Sequence, residues 1–405
     1  MLSRRDAIAK VVSEDPAFQL EDTVVRGVPW RVYRNAAPSL RAVLEATERY
    51  SDREFLVYEG ERWTYAEHLR IVAGLARRWQ AQGVGRGDRV AIAMRNFPEW
   101  VMTFWAAQAL GAVAVPLNAW WTAPELAYAL GDASPRVLVA DGERLERIAS
   151  ELRELKIDEV IGVRARHPLP AGVADWAEVR AGFDPSVSLP DVTIEPDDDA
   201  TILYTSGTTG LPKGAVASQR NHATNIRNTE LGTAAVLAAL GIPMPAEMPQ
   251  IVMLQTFPFF HIGGLTGLTV ATAAGAKLCL MYKWDTAVAA EIIQHEGVSA
   301  ASMVPTLLRQ LLDYAGEHNL EFAGLAGMAS GGAPVPPDLI RRIEGQFERR
   351  ISPANGYGLT ETTSAVTVNS GEEYFAHPES VGRLVPGADI RVVDPDSGAD
   401  LPGGE

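Results

Sequence analysis

Apolar residues along this chain follow two textures that take turns. Tyr65, Leu69, Val72, Ala73, Ala76 and Trp79 recur at three- and four-residue spacing and fall on one face of a helix. Thr64-Tyr65-Ala66-Glu67 opens that helix as a capping box, and Gly83 ends it. A short, wholly apolar strand follows over Arg89–Met94, then a helix over Glu99–Leu110 and a strand over Ala112–Val115. Thr122-Ala123-Pro124-Glu125 caps the next helix, ahead of a strand over Arg136–Ala140. The same alternation returns later: strands over Val252–Thr256, Ala276–Met281 and Ala300–Met303, helices after Gly263, over Ala287–His295 and over Thr306–Glu317. Strands apolar on both faces, separated by helices, predict parallel sheets covered on both sides. No sequence repeat of fixed period is visible.

Two stretches break the pattern. Gly182–Asp199 carries three prolines and five aspartates and reads as a linker. From Gly382 the chain turns to Gly-, Pro- and Asp-punctuated segments, with a strand expected over Ala388–Val393 at the start of a small antiparallel β region. The expected division is therefore 1–190 as a first α/β portion, 191–375 as a second, and 376–405 as the beginning of the β region. A chain of 405 residues, 47% hydrophobic and 21% charged, is too long for one core and suits such a division. The run Ile262–Met281 has the length of a membrane span, but its four glycines and its change of texture at Gly275 mark a buried helix followed by a buried strand.

Charge narrows the partners. A net charge of −15 argues against a nucleic-acid backbone as ligand, and the pairs Arg77-Arg78, Arg341-Arg342 and Arg349-Arg350 are too scattered to form a groove. The single cysteine, Cys279, lies in an apolar run, which excludes an intramolecular disulfide and points to the cytosol. The first eighteen residues have no apolar stretch of signal-peptide length.

The candidate chemistry lies in four short motifs. In Tyr204–Gly214, YTSGTTGLPKG, the residues Gly207 and Gly210 allow close backbone approach to an anion, Ser206, Thr208 and Thr209 add hydroxyl donors, and Lys213 adds a mobile positive charge. The chain has five lysines against 31 arginines, so a lysine in this loop stands out. The Walker pattern fails twice: its second glycine falls on Pro212, and Gly214 follows the lysine. In Ala354–Thr363, ANGYGLTETT, glycines on either side of Tyr357 bare a ring for a planar base, and Thr360 and Glu361 suit a phosphate oxygen and a hard cation. ASGGAP at Ala329–Pro334 is small enough to lie against a flat ring, and FPFFHIGG at Phe257–Gly264 sets His261 beside aromatic residues. Singly each has a plain reading: His261 as a core histidine, Tyr357 as packing, Glu361 as a solvated acid.

Together, in this order and spacing, these motifs and ESVGRLVPGADIRVVD at Glu379–Asp394 resemble the adenylate-forming acid ligases, a family of acyl- and aryl-CoA synthetases, peptide-synthetase adenylation domains and firefly-type luciferases. The resemblance runs from about Arg49 to the last residue. It implies two doubly wound α/β subdomains packed together plus part of a distorted β-barrel. It also implies that Thr205, Ser206, Gly207, Thr208, Thr209, Gly210 and Lys213 hold the ATP phosphates. Gly332, Ala333 and Pro334 would sandwich adenine with Tyr357, and Asn355 would bond its exocyclic amine. Thr360 would meet the α-phosphate, Glu361 the Mg²⁺, and His261 would gate the acyl pocket, with Ser302, Gly331 and Gly356 as its walls.

The implied reaction joins a carboxylic acid to ATP as acyl-AMP and then to the thiol of coenzyme A. The expected partners are thus an acid, ATP and CoA, with no nucleic acid and no transmembrane segment, and a homodimer is compatible with the family. Similar enzymes continue beyond Glu405 into a mobile C-terminal domain, so this chain alone is expected to bind acyl-AMP but turn over weakly. No acidic residue follows His261 before Asp285, which favours a simple acid over an amino acid, and the small pocket walls favour a medium or long acyl chain. An aryl-CoA ligase, a stand-alone adenylation domain and a noncatalytic acyl-adenylate binder remain open.

Overall fold

The computed structural model describes residues 3–166, 168–206, 210–245 and 247–401. Two sheets dominate. The first has seven strands in the order β11 (Lys213–Ser218), β10 (Asp199–Thr205), β6 (Val113–Pro116), β5 (Arg89–Ala93), β7 (Val137–Asp141), β8 (Glu159–Val163) and β9 (Val173–Asp175). All pairs are parallel except β10 with β11.

The second sheet has nine strands: β18 (Arg383–Leu384), β17 (Ser364–Ser370), β16 (Ser352–Leu359), β15 (Gly327–Gly331), β14 (Ala300–Met303), β12 (Val252–Gln255), β13 (Lys277–Leu280), β3 (Glu54–Tyr58) and β4 (Glu61–Thr64). It is parallel from β16 to β3, with antiparallel pairs at both margins. Each sheet draws on both halves of the chain, since β3 and β4 edge the second sheet and β10 and β11 edge the first.

The main core lies where the two sheets are joined by α4 (Pro98–Ala109), α3 (Tyr65–Ala81) and α9 (Ile262–Ala274), with α2 (Leu40–Glu45) and α7 (Trp176–Ala181) at its border. Every residue of α4 is buried, as befits a helix apolar all round. Of its three polar side chains, Glu99 is bonded by Arg164 and the Gln108 amide donates to Ala200 O at 3.0 Å, while the Thr103 hydroxyl is buried without a hydrogen-bond partner among the described residues. Removing a fully buried side chain such as Trp105 would cost ~3–5 kcal/mol. The outer faces are covered by α5 (Ala123–Ala133) and α6 (Gly142–Arg147) on the first sheet, and by α10 (Thr286–His295), α11 (Pro305–Glu317), α12 (Pro337–Gln346) and α13 (Gly371–Ala376) on the second. Helices on both faces of both sheets are the doubly wound arrangement expected.

The capping boxes at Thr64 and Thr122 are both formed. Ile262–Met281 divides into α9 and β13 at Gly275, and no helix among the described residues is long and apolar enough to cross a membrane. Burial pushes the Cys279 thiol up to about 12, so it stays protonated and inert.

One element differs from expectation. Ala388–Val393 is not a strand. Its ladder is reduced to a single bridge, Val393 to Asp400, and Val392 is 57% exposed, because no neighbouring strand among the described residues supplies the hydrogen bonds that would extend it. Among the described residues, antiparallel structure in this region is confined to β18 and that bridge. Ahead of the two sheets, α1 (Arg4–Glu14) packs on α8 (Gln219–Ala239), and β1 (Leu20–Val25) pairs with β2 (Val28–Tyr33) as a separate hairpin.

Candidate active site

Parallel strands β12, β14, β15 and β16 end on one side of the second sheet, and the candidate residues lie at these ends. The register pairs Ser302 with Ala329, Ala329 with Ala354, Ser330 with Asn355, and Gly331 with Gly356. The small residues proposed as pocket walls are therefore on adjacent strands, within two rows of each other. This is the carboxyl edge of a doubly wound sheet, where such folds bind ligands.

From that edge β16 runs on into a hairpin with β17. Tyr357 is 49% exposed and leaves its ring free, while Asn355 is all but buried. Across the hairpin the backbones approach closely at Gly358, where an added Cβ would sit 1.8 Å from Ser364 O. The turn beyond carries Thr360 and Glu361. It is braced by Thr362, whose hydroxyl accepts from Leu359 N at 2.9 Å and donates to Ser364 O at 2.8 Å. Thr363 and Ser364 have φ of +51° and +92°, a strained pair for non-glycine residues and one a β-branched threonine adopts only when its surroundings demand it. Glu361 is exposed and has no ion-pair or hydrogen-bond partner among the described residues, so its carboxylate is available to a ligand.

His261 caps the N-terminus of α9, with Nδ1 accepting from Gly263 N at 3.2 Å, which leaves the ring proton on Nε2. Much of its surface is open, yet the surrounding walls strip enough water from the ring to hold its pKa below the ordinary histidine value. It is therefore a neutral donor near pH 7 and no fixed charge. The loop before it is drawn tight. Phe257 O accepts from Gln255 Nε2 at 2.7 Å and Asn96 Nδ2 at 2.9 Å, and Asn96 Oδ1 accepts from Phe259 N at 2.9 Å. Gly264 is required by the same tightness, since a Cβ there would lie 2.0 Å from Pro258 O. The Phe257 ring stands parallel to His261 at 6.3 Å between centroids, and its edge is 3.5 Å from where a Cβ on Gly332 would be. The histidine motif and the segment Gly332, Ala333, Pro334 are thus neighbours, and the latter three are exposed.

The third component sits on the first sheet. β10 and β11 form a hairpin in which Thr205 pairs with Lys213, and Ser206, Gly210 and Lys213 are all exposed. Gly207, Thr208 and Thr209 lie outside the described residues. The lysine opens a strand, in contrast to the helix start on which a Walker lysine sits.

Sequence reasoning missed Asn96 and Arg95, which follow β5 and tie the sheets together. Asn96 clamps the Phe257–Phe259 loop with both ends of its amide. Arg95 donates through Nε to Tyr282 O at 3.1 Å, and its guanidinium lies 5.3 Å from the Trp120 ring centroid. The signal was their place at the carboxyl end of a buried parallel strand. They border a cavity of about 300 Å³ that also takes in Trp120, Phe257, Tyr282 and Lys283. A larger cavity, about 500 Å³, has Glu361 in its wall together with Trp30 and Arg31 of the β1–β2 hairpin.

A family model for AMP-binding enzymes matches residues 43–405. The chain is 28% identical over 371 residues to 4-coumarate–CoA ligase-like 9 of Oryza sativa subsp. japonica, covering 89% of this chain and 64% of that protein. It is 31% identical over 347 residues to a feruloyl-CoA synthase of Amycolatopsis sp., covering 85% and 64%. Among solved structures, the inhibitor-bound N-terminal domain of FACL13 from Mycobacterium tuberculosis aligns with TM-score 0.74 at 26% identity, over 90% of this chain and 86% of that one. The chain spans about 60–64% of the length of the curated relatives it matches. It belongs to the AMP-binding enzyme family, the adenylate-forming acid ligases, and corresponds to their large N-terminal domain.

Proposed function

We propose that this chain is the adenylating portion of a carboxylic acid–CoA ligase, which activates a medium- or long-chain acid as its acyl-AMP. The observation that carries this reading is the meeting, at one sheet edge, of an exposed ring at Tyr357, the turn that carries Thr360 and Glu361, and the Phe257–His261 wall. Tyr357 and the Gly332–Pro334 segment offer flat surfaces for adenine. Thr360 donates to the α-phosphate, while Lys213 and the hydroxyl-rich loop meet the β- and γ-phosphates. The acid's carboxylate oxygen attacks the α-phosphorus, the bond to the bridging oxygen breaks, and pyrophosphate leaves with that electron pair. Two anions must meet, so the residues work mainly by positioning and by neutralising charge.

Magnesium fits this donor set. Among the described residues no three metal-ligating side chains cluster, but Mg²⁺ commonly takes one carboxylate and completes its shell with phosphate oxygens and water. Glu361 is that carboxylate, and the ion when bound would offset phosphate charge. The neutral Nε2–H of His261 stands at the entrance to the acyl pocket. For the thiol, the cavity shared by Phe257 offers the cations Arg95 and Lys283 and several aromatic faces, which suit the phosphates and base of coenzyme A.

An aryl-propenoic acid is the second reading, favoured by the coumarate and ferulate named for the curated relatives. Both are tested by supplying ATP, Mg²⁺ and CoA with a panel containing octanoate, palmitate, 4-coumarate and ferulate, and following pyrophosphate. A rate rising with one acid identifies the class. Orthophosphate with ADP would reject adenylation.

A further inference from the structure

The β1–β2 hairpin precedes the part of the chain that the family model matches, which begins at residue 43, and it stands apart from both large sheets. A lone two-stranded hairpin is marginal in water and needs anchors. Arg26 supplies one, donating to Asp199 Oδ1 and to Asp197 O at 2.7 Å each. The Tyr33 hydroxyl supplies another, donating to Asn228 Oδ1 on α8 at 2.7 Å. One face of the hairpin is apolar: Val28, Trp30 and Val32 alternate along β2, and Val25 pairs with Val28 across the ladder. Yet Trp30 is left 43% exposed. This face is one wall of the cavity of about 500 Å³ in which Glu361 stands.

The wall supplied by α8 is of the opposite kind. Asn221, Thr224, Asn225 and Asn228 recur at three- and four-residue spacing and all line the cavity, where a packed helix would present apolar residues. Asn221 Oδ1 accepts from Ser218 N at 2.9 Å and Asn228 Oδ1 accepts from Tyr33, so each amide nitrogen is left as a donor. The Thr224 hydroxyl has no hydrogen-bond partner among the described residues. The cavity also adjoins the candidate active site. Ala365 lines it, and a Cβ on Gly356 would lie 3.2 Å from the Ala365 Cβ. Asn225 Nδ2 donates at 3.2 Å to Thr266 Oγ1 on α9, the helix that His261 caps. Of the three arginines in the wall, Arg26 and Arg220 are paired with Asp199 and Asp197, which leaves Arg31 alone to meet an anion and argues against a polyphosphate as occupant.

We propose that the β1–β2 hairpin is a specificity-determining wall for the acid: the tail of the substrate runs from the Thr360–Glu361 turn into this cavity, with its apolar side against Trp30 and a hydroxyl group on its other side meeting Thr224 and the α8 amides. The inference rests on the reading that the protein adenylates a carboxylic acid, and it deepens that reading by naming the tail, an apolar body that carries a hydroxyl group. A plain hydrocarbon tail would displace water from the α8 donors and offer them no acceptor, which is costly. A hydroxylated tail satisfies both walls. A hydroxylated aliphatic chain and a phenolic ring share this chemistry, and matched pairs of acids tell them apart.

The test is acid-dependent pyrophosphate release by the protein containing this chain, given ATP and Mg²⁺ and read as kcat/KM for octanoate against 8-hydroxyoctanoate, cinnamate against 4-coumarate, and propionate as the acid without a tail. The unaltered protein should prefer the hydroxylated acid in at least one pair, and the pair that shows the preference identifies the tail as aliphatic or phenolic. Thr224→Val, which keeps the shape and deletes the hydroxyl, should lower that preference about fivefold, the worth of one hydrogen bond. Trp30→Ala should lower the ratio of the preferred acid to propionate at least tenfold, since it removes the apolar surface against which the tail packs. Ratios taken on one preparation do not depend on how much of it is folded. If the unaltered protein shows no hydroxyl preference, or if either variant leaves its ratio unmoved, the inference is overturned while adenylation stands. A raised KM for ATP with both ratios unmoved would give the cavity to the nucleotide and overturn it equally. If no acid promotes pyrophosphate release by the unaltered protein, the adenylation reading fails and this inference with it.

Discussion

Gly358→Ala places one methyl group where the β16–β17 hairpin has no room for it. The new Cβ would stand 1.8 Å from Ser364 O and 2.5 Å from its carbonyl carbon. An ordinary carbon-to-oxygen contact is ~3.3 Å, so the strands must part by about 1.5 Å. The neighbouring rows Gly358–Ala365 and Leu359–Ser364 would then lose about two ladder hydrogen bonds at ~1 kcal/mol each. With the strain of overpacking the loss of stability should be ~2–5 kcal/mol. The functional effect should be larger in proportion, because Tyr357, Thr360 and Glu361 all ride on this hairpin, and a shift of ~1 Å at a reacting group can cost ~100-fold in rate. Denaturant unfolding measures the first effect, and ATP binding with acid-dependent pyrophosphate release measures the second. Gly345→Ala on the exposed side of α12 is the control: nothing lies within 4 Å of its added Cβ, so the chain should gain ~0.5–1 kcal/mol. Wild-type stability and turnover in Gly358→Ala would refute the close approach.

Lys213→Ala should slow pyrophosphate formation at least tenfold, roughly the loss of one charge-assisted phosphate contact, and leave unfolding unchanged because the side chain is exposed; unchanged kinetics would remove the lysine from the site. Glu361→Gln keeps the shape and deletes the charge, and a loss of ~100-fold in turnover with a raised Mg²⁺ requirement is expected; an unaltered Mg²⁺ titration would refute the metal role. Stability should fall in acid partly through two buried histidines, since burial depresses His68 to about 3 and His222 to about 4. Each stays neutral in the folded state while the unfolded chain takes up a proton near pH 6.5, so stability is fully present above 6.5 and declines by up to ~1.4 kcal/mol per pH unit per histidine below it. Neither ring nitrogen of His68 has a hydrogen-bond partner, and His68→Leu should therefore reduce the fall in unfolding free energy between pH 6 and 4.5 relative to the unaltered chain; equal slopes would contradict the assignment.

The elements that sequence made visible were those whose local signals agree with their burial. Thr64 and Glu67 begin α3 where the apolar stripe begins, and α9 gives way to β13 at the glycine where the texture changes. The motif residues were legible for the same reason, because their glycines and hydroxyls have no place in a core. What was hidden depends on partners remote in sequence. β3 and β4 join the second sheet rather than the strands that follow them, and Asn96 acts on Phe257, 161 positions away. The strand expected over Ala388–Val393 has suitable residues but no ladder beside it. The β1–β2 hairpin turns at Arg26 and Gly27, both with positive φ, and an Arg-Gly pair announces such a turn less clearly than Asn-Gly would. The polar row of Ser330, Asn355 and Asn369 could not be read at all, because these residues become neighbours only through strand register.

The most direct measurement of the central claim is the fate of ATP when the protein containing this chain is given Mg²⁺, CoA and a carboxylic acid, followed by phosphorus magnetic resonance. Attack on the α-phosphorus predicts AMP and pyrophosphate in equal amounts, formed only when the acid is present, with acyl-AMP trapped when CoA is withheld. ADP with orthophosphate, or pyrophosphate released at the same rate without acid, would contradict it.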